Sequence, residues 1–435
     1  MKGETSVNSI VAMKHVQERA PRPLRVCVVE FLGHGGLIHY AYQLCTALSD
    51  RGVEVELITD RDYELESRPH NFRVSKILKL WNPRPVGKVE WQDGLLGKAK
   101  RLFRRTNRAA VHYRAWAVLI RHILRERPEI VQFGEIRFAT DFFPLAVLRR
   151  AGIRLSDVCH NIAPFNINAA SSEVLKTSPF YKRMFRRIYK LFSVIFVHSE
   201  VNREEFLRLY GEEINVSAIP HGNEGLFTSV DAKSVGAREI RERLNIPANA
   251  PVALFFGNLS KYKGLEVLID AFAVVSNRLP GARLVIAGYP NPDVSVERLR
   301  EQVKEKGLDS SVIFHFEYLP VQEVAAFFEI SSIVVLPYLM IFQSGALQVA
   351  YSFGKPVVAT AVGGLKEAVE DGKTGLLVPP RDAASLADAI LRLLTDEALA
   401  NRMGKRAKEL SETVYSWESI AESVKNSYLE ACRKQ

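Results

Sequence analysis

Short runs of β-branched and aromatic residues alternate with helical periods along most of the chain, and this alternation constrains the fold more than any other feature. In order, RVCVVEF, VEVELIT, NFRVSKIL, EIVQF, LSDVCHN and VIFVHSE read as buried strands, with helical stretches such as LIHYAYQLCTALSDRG and ATDFFPLAVLRRAG between several of them. Continuously apolar strands joined by helices form parallel sheets covered on both faces. Around IPHGNEGLF (219–227) the pattern breaks into a polar, charged stretch. It resumes at VALFFGN (252–258) and continues through ARLVIAG, VIFHFEYL, SIVVLPY, PVVAT and TGLLVPP. The predicted fold class is α/β, two Rossmann-like doubly wound domains facing a central cleft. The expected division is a polar tail over 1–24, a first domain over 25–225, a second over 226–414, and a helix over 415–435 that is amphipathic and able to pack back on the first domain. A chain of 435 residues is long enough to build two cores.

Hydrophobic residues make up 47% and charged residues 25%, which excludes a disordered chain. No apolar run approaches the roughly 20 residues of a membrane span, and the N-terminal stretch lacks the apolar block of a secretory signal. The expected location is cytoplasmic, with the cytoplasmic face of the inner membrane within reach. Cys27, Cys45, Cys159 and Cys432 lack metal-ligand spacing and read as reduced structural thiols. A net charge of +10 implies an anionic partner: nucleic acid, an acidic membrane face or a phosphorylated substrate. No helix-turn-helix, zinc or RNA-recognition signature supports nucleic acid.

In parallel α/β sheets, ligands bind beyond the carboxyl ends of the strands, where helix N-termini converge. Four loops therefore matter. GHGG (33–36) places Gly35 and Gly36 where backbone amides approach an anion or sugar, or else only closes the turn. It is not G-x-G-x-x-G, which disfavours NAD. In GNLSKYKGLEVLIDAF (257–272), Lys261 and Lys263 stand at the mouth of a helix, where a cation opposes the dipole unless an anion lies between; both pointing into water is the alternative. In QSGALQVAYSFGKPVVAT (343–360), Ser344 is placed to cap a helix and to leave the amides of Gly345, Ala346 and Leu347 near an anion, although capping alone would explain the serine. The fourth, AVGGLKEAVEDGKTG (361–375), has Gly363 and Gly364 after a strand, able to receive a polar ligand or only to turn the chain. His160 and Asn161, in DVCHNIAPF, close a first-domain strand and face the presumed cleft.

These pieces in this order resemble the retaining glycosyltransferases of family 4, with their two-Rossmann GT-B architecture. The resemblance rests on GHGG, HN at 160–161, FVHSE at 196–200, IPHGN at 219–223, FFGNLSKYKG at 255–264, LPY at 336–338 and FGKPVVATAVGGLKEAVEDGKTGLLVPP at 353–380. It implies transfer of a sugar from a nucleotide-diphosphate-sugar, with no cofactor and no protein-held metal. Lys263 would hold the diphosphate together with the helix at Ser344, and His160 would contact the transferring sugar. Gly35 and Gly36 would lie against the diphosphate or acceptor, and Tyr318 and Leu319 near the base. Two departures stand out. Asn258 occupies the place where relatives carry an arginine, and Ile341 and Val349 occupy the places of two glutamates, with Gln343 or Gln348 as substitutes for hydrogen bonding to the sugar. A nucleotide-sugar epimerase or a non-catalytic scaffold is the alternative.

Between Lys98 and Arg127 ten Lys/Arg stand against one acidic residue, Glu126, interspersed with Leu102, Phe103, Val111, Tyr113 and Trp116. FYKRMFRRIYKLF (180–192) adds five basic residues among Phe180, Tyr181, Phe185, Ile188 and Phe192. Such segments suit an anionic membrane face or a solvated helix face. The expected acceptor is accordingly lipid-linked or membrane-proximal, as in polysaccharide or glycolipid assembly.

Overall fold

The computed structural model describes residues 22–79, 95–163, 178–228 and 235–433. The tail through residue 21 lies outside the described residues, as do the side chains of residues 95–105, which include Lys98, Leu102 and Phe103 of the basic run.

The first half of the chain builds one parallel sheet from β1 (Arg25–Val29), β2 (Glu54–Asp60), β3 (Arg73–Leu78), β4 (Ile130–Phe133), β5 (Arg154–Val158), β6 (Val194–Val197) and β7 (Val216–Ala218). Its order is β3-β2-β1-β4-β5-β6-β7. Helices α1 (Gly36–Asp50), α2 (Leu95–Glu126), α3 (Phe142–Arg150), α4 (Pro179–Tyr189) and α5 (Glu200–Tyr210) make the crossovers. Two short helices, α6 (Gly225–Thr228) and α7 (Ala237–Arg243), lead into the second half. There β8 (Val252–Phe256), α8 (Leu265–Arg278), β9 (Arg283–Ala287), α9 (Val296–Glu305), β10 (Val312–His315), α10 (Val321–Ile330), β11 (Ile333–Leu336), α11 (Gly345–Ser352), β12 (Val357–Thr360), α12 (Leu365–Ala368) and β13 (Gly375–Val378) alternate without a break. The second sheet has the order β10-β9-β8-β11-β12-β13. Helices α13 (Ala383–Thr395), α14 (Glu397–Glu412) and α15 (Trp417–Arg433) close the chain.

Strand order reverses at β1/β4 in one sheet and at β8/β11 in the other. Those are the switch points where a crevice opens beyond the carboxyl ends of parallel strands. The loops after β8 and β11, which contain Lys263 and Ser344, are neighbours at one switch point, and the loop containing GHGG lies at the other. The strands are apolar because both faces are covered: all residues of β4, β6, β11 and β12 are buried.

The terminal helix packs on the first sheet's core through Ile420, Ala421, Val424 and Tyr428. Arg154 donates to the carbonyls of Ala431 and Cys432 at 3.2 Å, Lys425 to that of Arg51 at 2.7 Å, and the Tyr428 hydroxyl to Gln132. The chain thus crosses between the halves twice, near Gly222 and near Ser416. The crossings touch: Trp417 Nε1 donates to Asn223 O at 2.7 Å, and a Cβ on Gly222 would overlap the Trp417 ring.

The basic segments behave differently from a free amphipathic face. Trp116, Phe185 and Ile188 are core residues, because the apolar stripes of α2 and α4 cover the sheet. Arg114, Arg121, Arg183 and Arg187 stay exposed. Among the described residues no helix is long and apolar enough to cross a membrane, and Cys27, Cys45, Cys159 and Cys432 are free thiols.

Candidate active site

Lys263 ends a 3-10 turn (Lys261–Lys263) after β8, and Gly264 follows with φ 69°. Only glycine fits there, since a Cβ would run into the Pro337 carbonyl. Leu339 N donates to Tyr262 O at 2.7 Å, tying this loop to the one after β11. The ammonium lies 5.5 Å from the Tyr338 ring centroid and 5.9 Å from that of Phe255. Among the described residues no carboxylate pairs with it, and burial pulls its pKa down to about 8. Lys261, by contrast, is exposed, and its backbone amide donates to Asp293 Oδ2 at 2.9 Å.

The second half of the cradle is the start of α11. Ser344 caps it, its Oγ accepting from Leu347 N at 3.3 Å. The expectation that three amides would be free is therefore corrected: the cap consumes the Leu347 N–H, and the Leu347 side chain is core. Among the described residues the amides of Gly345 and Ala346 have no acceptor. Tyr338 joins the two halves, its ring facing the Lys263 ammonium and its hydroxyl 3.4 Å from Ser344 Oγ. A desolvated cation and free helix amides thus converge on one tyrosine, the arrangement that receives an anion.

The other anticipated residues distribute around this centre. Asn258 is exposed after β8, Leu319 is buried and Tyr318 is largely exposed. The Tyr318 hydroxyl donates across the cleft to Glu64 Oε2 at 3.0 Å. The same carboxylate accepts from Gly35 N at 2.6 Å and lies 2.7 Å from His39 Nε2. The side chain of Glu64 therefore occupies the Gly35 amide that a ligand's anion was expected to take; Gly36 opens α1. Its neighbours, the His39 imidazole first, hold its pKa down at about 2. Gln343 is half-buried beside Ser344, and among the described residues its Oε1 has no partner. Ile341 and Val349 are buried in the second core, which explains why no carboxylate stands there.

His160 is buried among aromatic rings. Its Nδ1 lies 2.9 Å from His198 Nε2, and the Tyr40 ring packs edge-on at 4.8 Å between centroids. Tyr40 also touches His198, His221 and Trp417. Burial holds all three imidazoles below the usual histidine range, so they are neutral at pH 7. His160 is consequently fit to hydrogen-bond a sugar hydroxyl and unfit to supply a fixed charge.

Residue-level reading of the sequence assigned no role to His198, His221, Glu64 or Glu224. The ideal Cβ position on Gly345 lies 4.0 Å from His221 Cε1 and 3.9 Å from Glu224 Oε1, so both side chains face the first turn of α11. Burial raises the Glu224 carboxyl to about 7. His198 follows β6 directly and His221 stands three residues after β7, and the strand-end rule applied to every strand would have found them. Glu64 has no such signal, since it reaches its partners from a loop beyond β2.

Comparison with known proteins places both halves of the chain in glycosyltransferase families. The profile of Glycosyltransferase Family 4 matches residues 34–223, and that of Glycosyl transferases group 1 matches residues 236–410. The chain belongs to glycosyltransferase family 4. Among curated relatives of this family 4 chain, the D-inositol 3-phosphate glycosyltransferase of Corynebacterium efficiens is 37% identical over 195 residues, 44% of this chain and 45% of the relative. The protein of that name from Corynebacterium diphtheriae is 31% identical over 244 residues, 55% of this chain and 56% of the relative. The chain spans about half the length of the curated relatives it matches. Sucrose-phosphate synthase from Thermosynechococcus elongatus superposes with a TM-score of 0.69 at 23% identity, covering 95% of this chain and all of the other. Anabaena HepE in complex with UDP superposes with 0.67 at 18% identity, covering 94% and 100%. At those identities the likeness shows the fold, GT-B.

Proposed function

We propose that the family 4 chain transfers a sugar from a nucleotide-diphosphate-sugar to an acceptor hydroxyl, with the anomeric configuration retained. The observation that carries this reading is the unpaired, partly desolvated Lys263 ammonium joined through Tyr338 to the free amides of α11. Negative charge grows on the diphosphate as the glycosidic bond breaks. Donors already oriented there lower the barrier without reorganising. His160 contacts the transferring sugar as a neutral hydrogen-bonding group, and Gln343 adds an amide. Asn258 supplies no charge, so Lys263 carries the cationic part of the clamp. The UDP named in the HepE complex supports a nucleotide-bearing donor.

The acceptor reading rests on the surface of the first sheet's helices. Phe143 and Phe180 are 67% and 71% exposed on α3 and α4, which pack together. With the exposed Arg183 and Arg187 they offer apolar and cationic groups on two packed helices, the chemistry of a membrane-proximal, lipid-linked acceptor. The names of the inositol phosphate relatives favour a second reading, a soluble phosphorylated polyol.

Incubating the protein with nucleotide-sugars and either a lipid extract or inositol phosphate separates these outcomes. Transfer with retained anomeric configuration, read by NMR of the product, supports the proposal. An isomerised donor sugar means an epimerase, and an inverted product rejects retention. Co-sedimentation with anionic but not neutral vesicles, reduced when Phe143 and Phe180 are changed to serine, is expected for the membrane reading. Equal binding to both vesicle types rejects it.

A further inference from the structure

Three carboxyl groups gather at the carboxyl ends of neighbouring strands in the first half, and the donor cradle uses none of them. Val29 of β1 is paired with Phe133 of β4, and Phe133 with Asp157 of β5. Glu30 stands one residue beyond the first of these positions, Glu135 two beyond the second, and Asp157 at the third. Glu30 Oε1 accepts from Leu32 N at 3.0 Å, and its Oε2 lies where a Cβ on Gly134 would be, so the glycine makes room for this carboxyl. Asn161, next to His160 in the chain, donates from Nδ2 to Glu135 Oε1 at 2.6 Å. The group therefore adjoins the histidine to which the transferring sugar is assigned.

Two features set what the group can receive. The first is an orphan: Asp157 is fully buried, and among the described residues neither of its carboxyl oxygens has a hydrogen-bond partner. Buried acceptors in folded proteins are nearly always paired, so this one is placed to receive a donor. The second is charge. Arg137 pairs with Glu135, Nε to Oε2 at 2.9 Å, and among the described residues no cation pairs with Glu30 or Asp157. Three carboxyls thus share one guanidinium, which is itself half in water. Burial raises Glu30 to about 7, and burial followed by the charges of Glu135 and Glu30 raises Asp157 well above the usual carboxylate range. A further cation would relieve both. Among the described residues no group of His, Cys, Asp and Glu side chains is set to hold a metal ion, so the cation is an organic one. Phosphate is disfavoured on this half for a related reason, since Glu64 already fills the Gly35 amide.

We propose that Asp157, Glu30 and Glu135 form a subsite for a protonated ring amine, so that the acceptor is an amino sugar or aminocyclitol. The inference rests on the transferase reading in one respect, that the half facing Lys263 holds the acceptor. The ammonium donates to Asp157 and Glu135, Glu30 adds negative charge beside it, and Arg137 keeps the outer edge of Glu135.

Calorimetric titration of the full chain, with and without UDP, tests this by comparing methyl 2-amino-2-deoxy-α-glucoside and methyl 6-amino-6-deoxy-α-glucoside with methyl α-glucoside. One of the amines is expected to bind at least about tenfold more tightly than the neutral ring. Binding of the 6-amino compound, already protonated at pH 7, should release protons, because an ammonium favours the ionised forms of Glu30 and Asp157. The release is read as a heat that changes with the ionisation enthalpy of the buffer. Asp157→Asn should remove the tenfold advantage with a melting temperature no lower than wild type, and Glu135→Gln provides a second variant should Asp157→Asn fail to fold. Amines that bind no more tightly than the neutral ring, or an advantage that survives both substitutions, overturn the proposal. Loss of UDP binding in wild type would instead count against the transferase reading, and the titrations without UDP would still decide this one.

Discussion

At the scale of single residues, Lys263 makes a prediction with two opposite signs. The folded protein holds its amine near 8, below the 10.5 of an ordinary lysine. Between those values the unfolded chain binds the proton that the folded chain refuses. The contribution of this group to stability therefore rises as pH climbs from about 8 to 10.5, and its cost is fully present below 8. Affinity for a diphosphate runs the other way, falling as pH passes about 8 and the ammonium is lost. Lys263→Met should abolish the pH dependence in that window. It should also stabilise the ligand-free protein by about 1–2 kcal/mol at pH 7 while weakening UDP binding at least about tenfold. Thermal melts and titrations at pH 7 and pH 9.5 check both signs; a variant less stable than wild type at pH 7 would mean that the amine has a partner. Residues of this kind were partly legible. Lys263 stood out because a cation at a helix start is electrostatically odd. His160 stood out by its strand-end position, but its stacking against His198 and Tyr40 depends on loops that only the fold brings together.

At the scale of elements, the start of α11 is the part on which sequence and structure agree most closely. A serine before an apolar period specifies a cap locally, and Ser344 is that cap. Ser344→Ala should cost about 1 kcal/mol, seen as a lower denaturant midpoint at unchanged slope. It should also weaken UDP binding, because the first turn then frays. A midpoint equal to wild type would show that Tyr338 and the loop contacts hold the turn without the cap. The alternation of strands and helices was legible for a related reason: each strand is buried on both faces and so reads as an apolar run. Membrane-facing character was less legible in α4, since amphipathicity says that one face is buried without saying in what. Phe185 and Ile188 turn toward the protein core, and only Phe180 at the helix start stays out.

At the scale of the whole molecule, the two halves are held together across the cleft by contacts far apart in sequence. Tyr318 reaches Glu64 on one flank. On the other, Glu367 accepts from the first amides of α5, Glu200 N at 3.3 Å and Val201 N at 3.4 Å, and Asn202 Nδ2 donates to Phe342 O at 3.0 Å. The carboxylate at the N-terminus of α5 also meets the positive end of that helix. Such contacts are worth about 1 kcal/mol each, and those of Tyr318 and Glu367 are exposed to water, so they set the balance between closed and open forms rather than the fold. The double variant Tyr318→Phe, Glu367→Ala should scatter with a larger radius of gyration than wild type in the absence of ligand and return toward the wild-type value with UDP. An unchanged radius would place the closure in the α15 and Trp417 crossing instead. None of these cross-cleft pairs was legible in the chain, because neither partner's position is fixed until both sheets have formed.

A crystal structure of the protein with UDP would show whether Lys263 and the opening amides of α11 grip the diphosphate of a nucleotide-sugar. Phosphate oxygens are expected within hydrogen-bonding distance of Lys263 Nζ and of the Gly345 or Ala346 amide, with Tyr338 beneath them. A diphosphate bound elsewhere, with the Lys263 ammonium still unpaired, would contradict that grip.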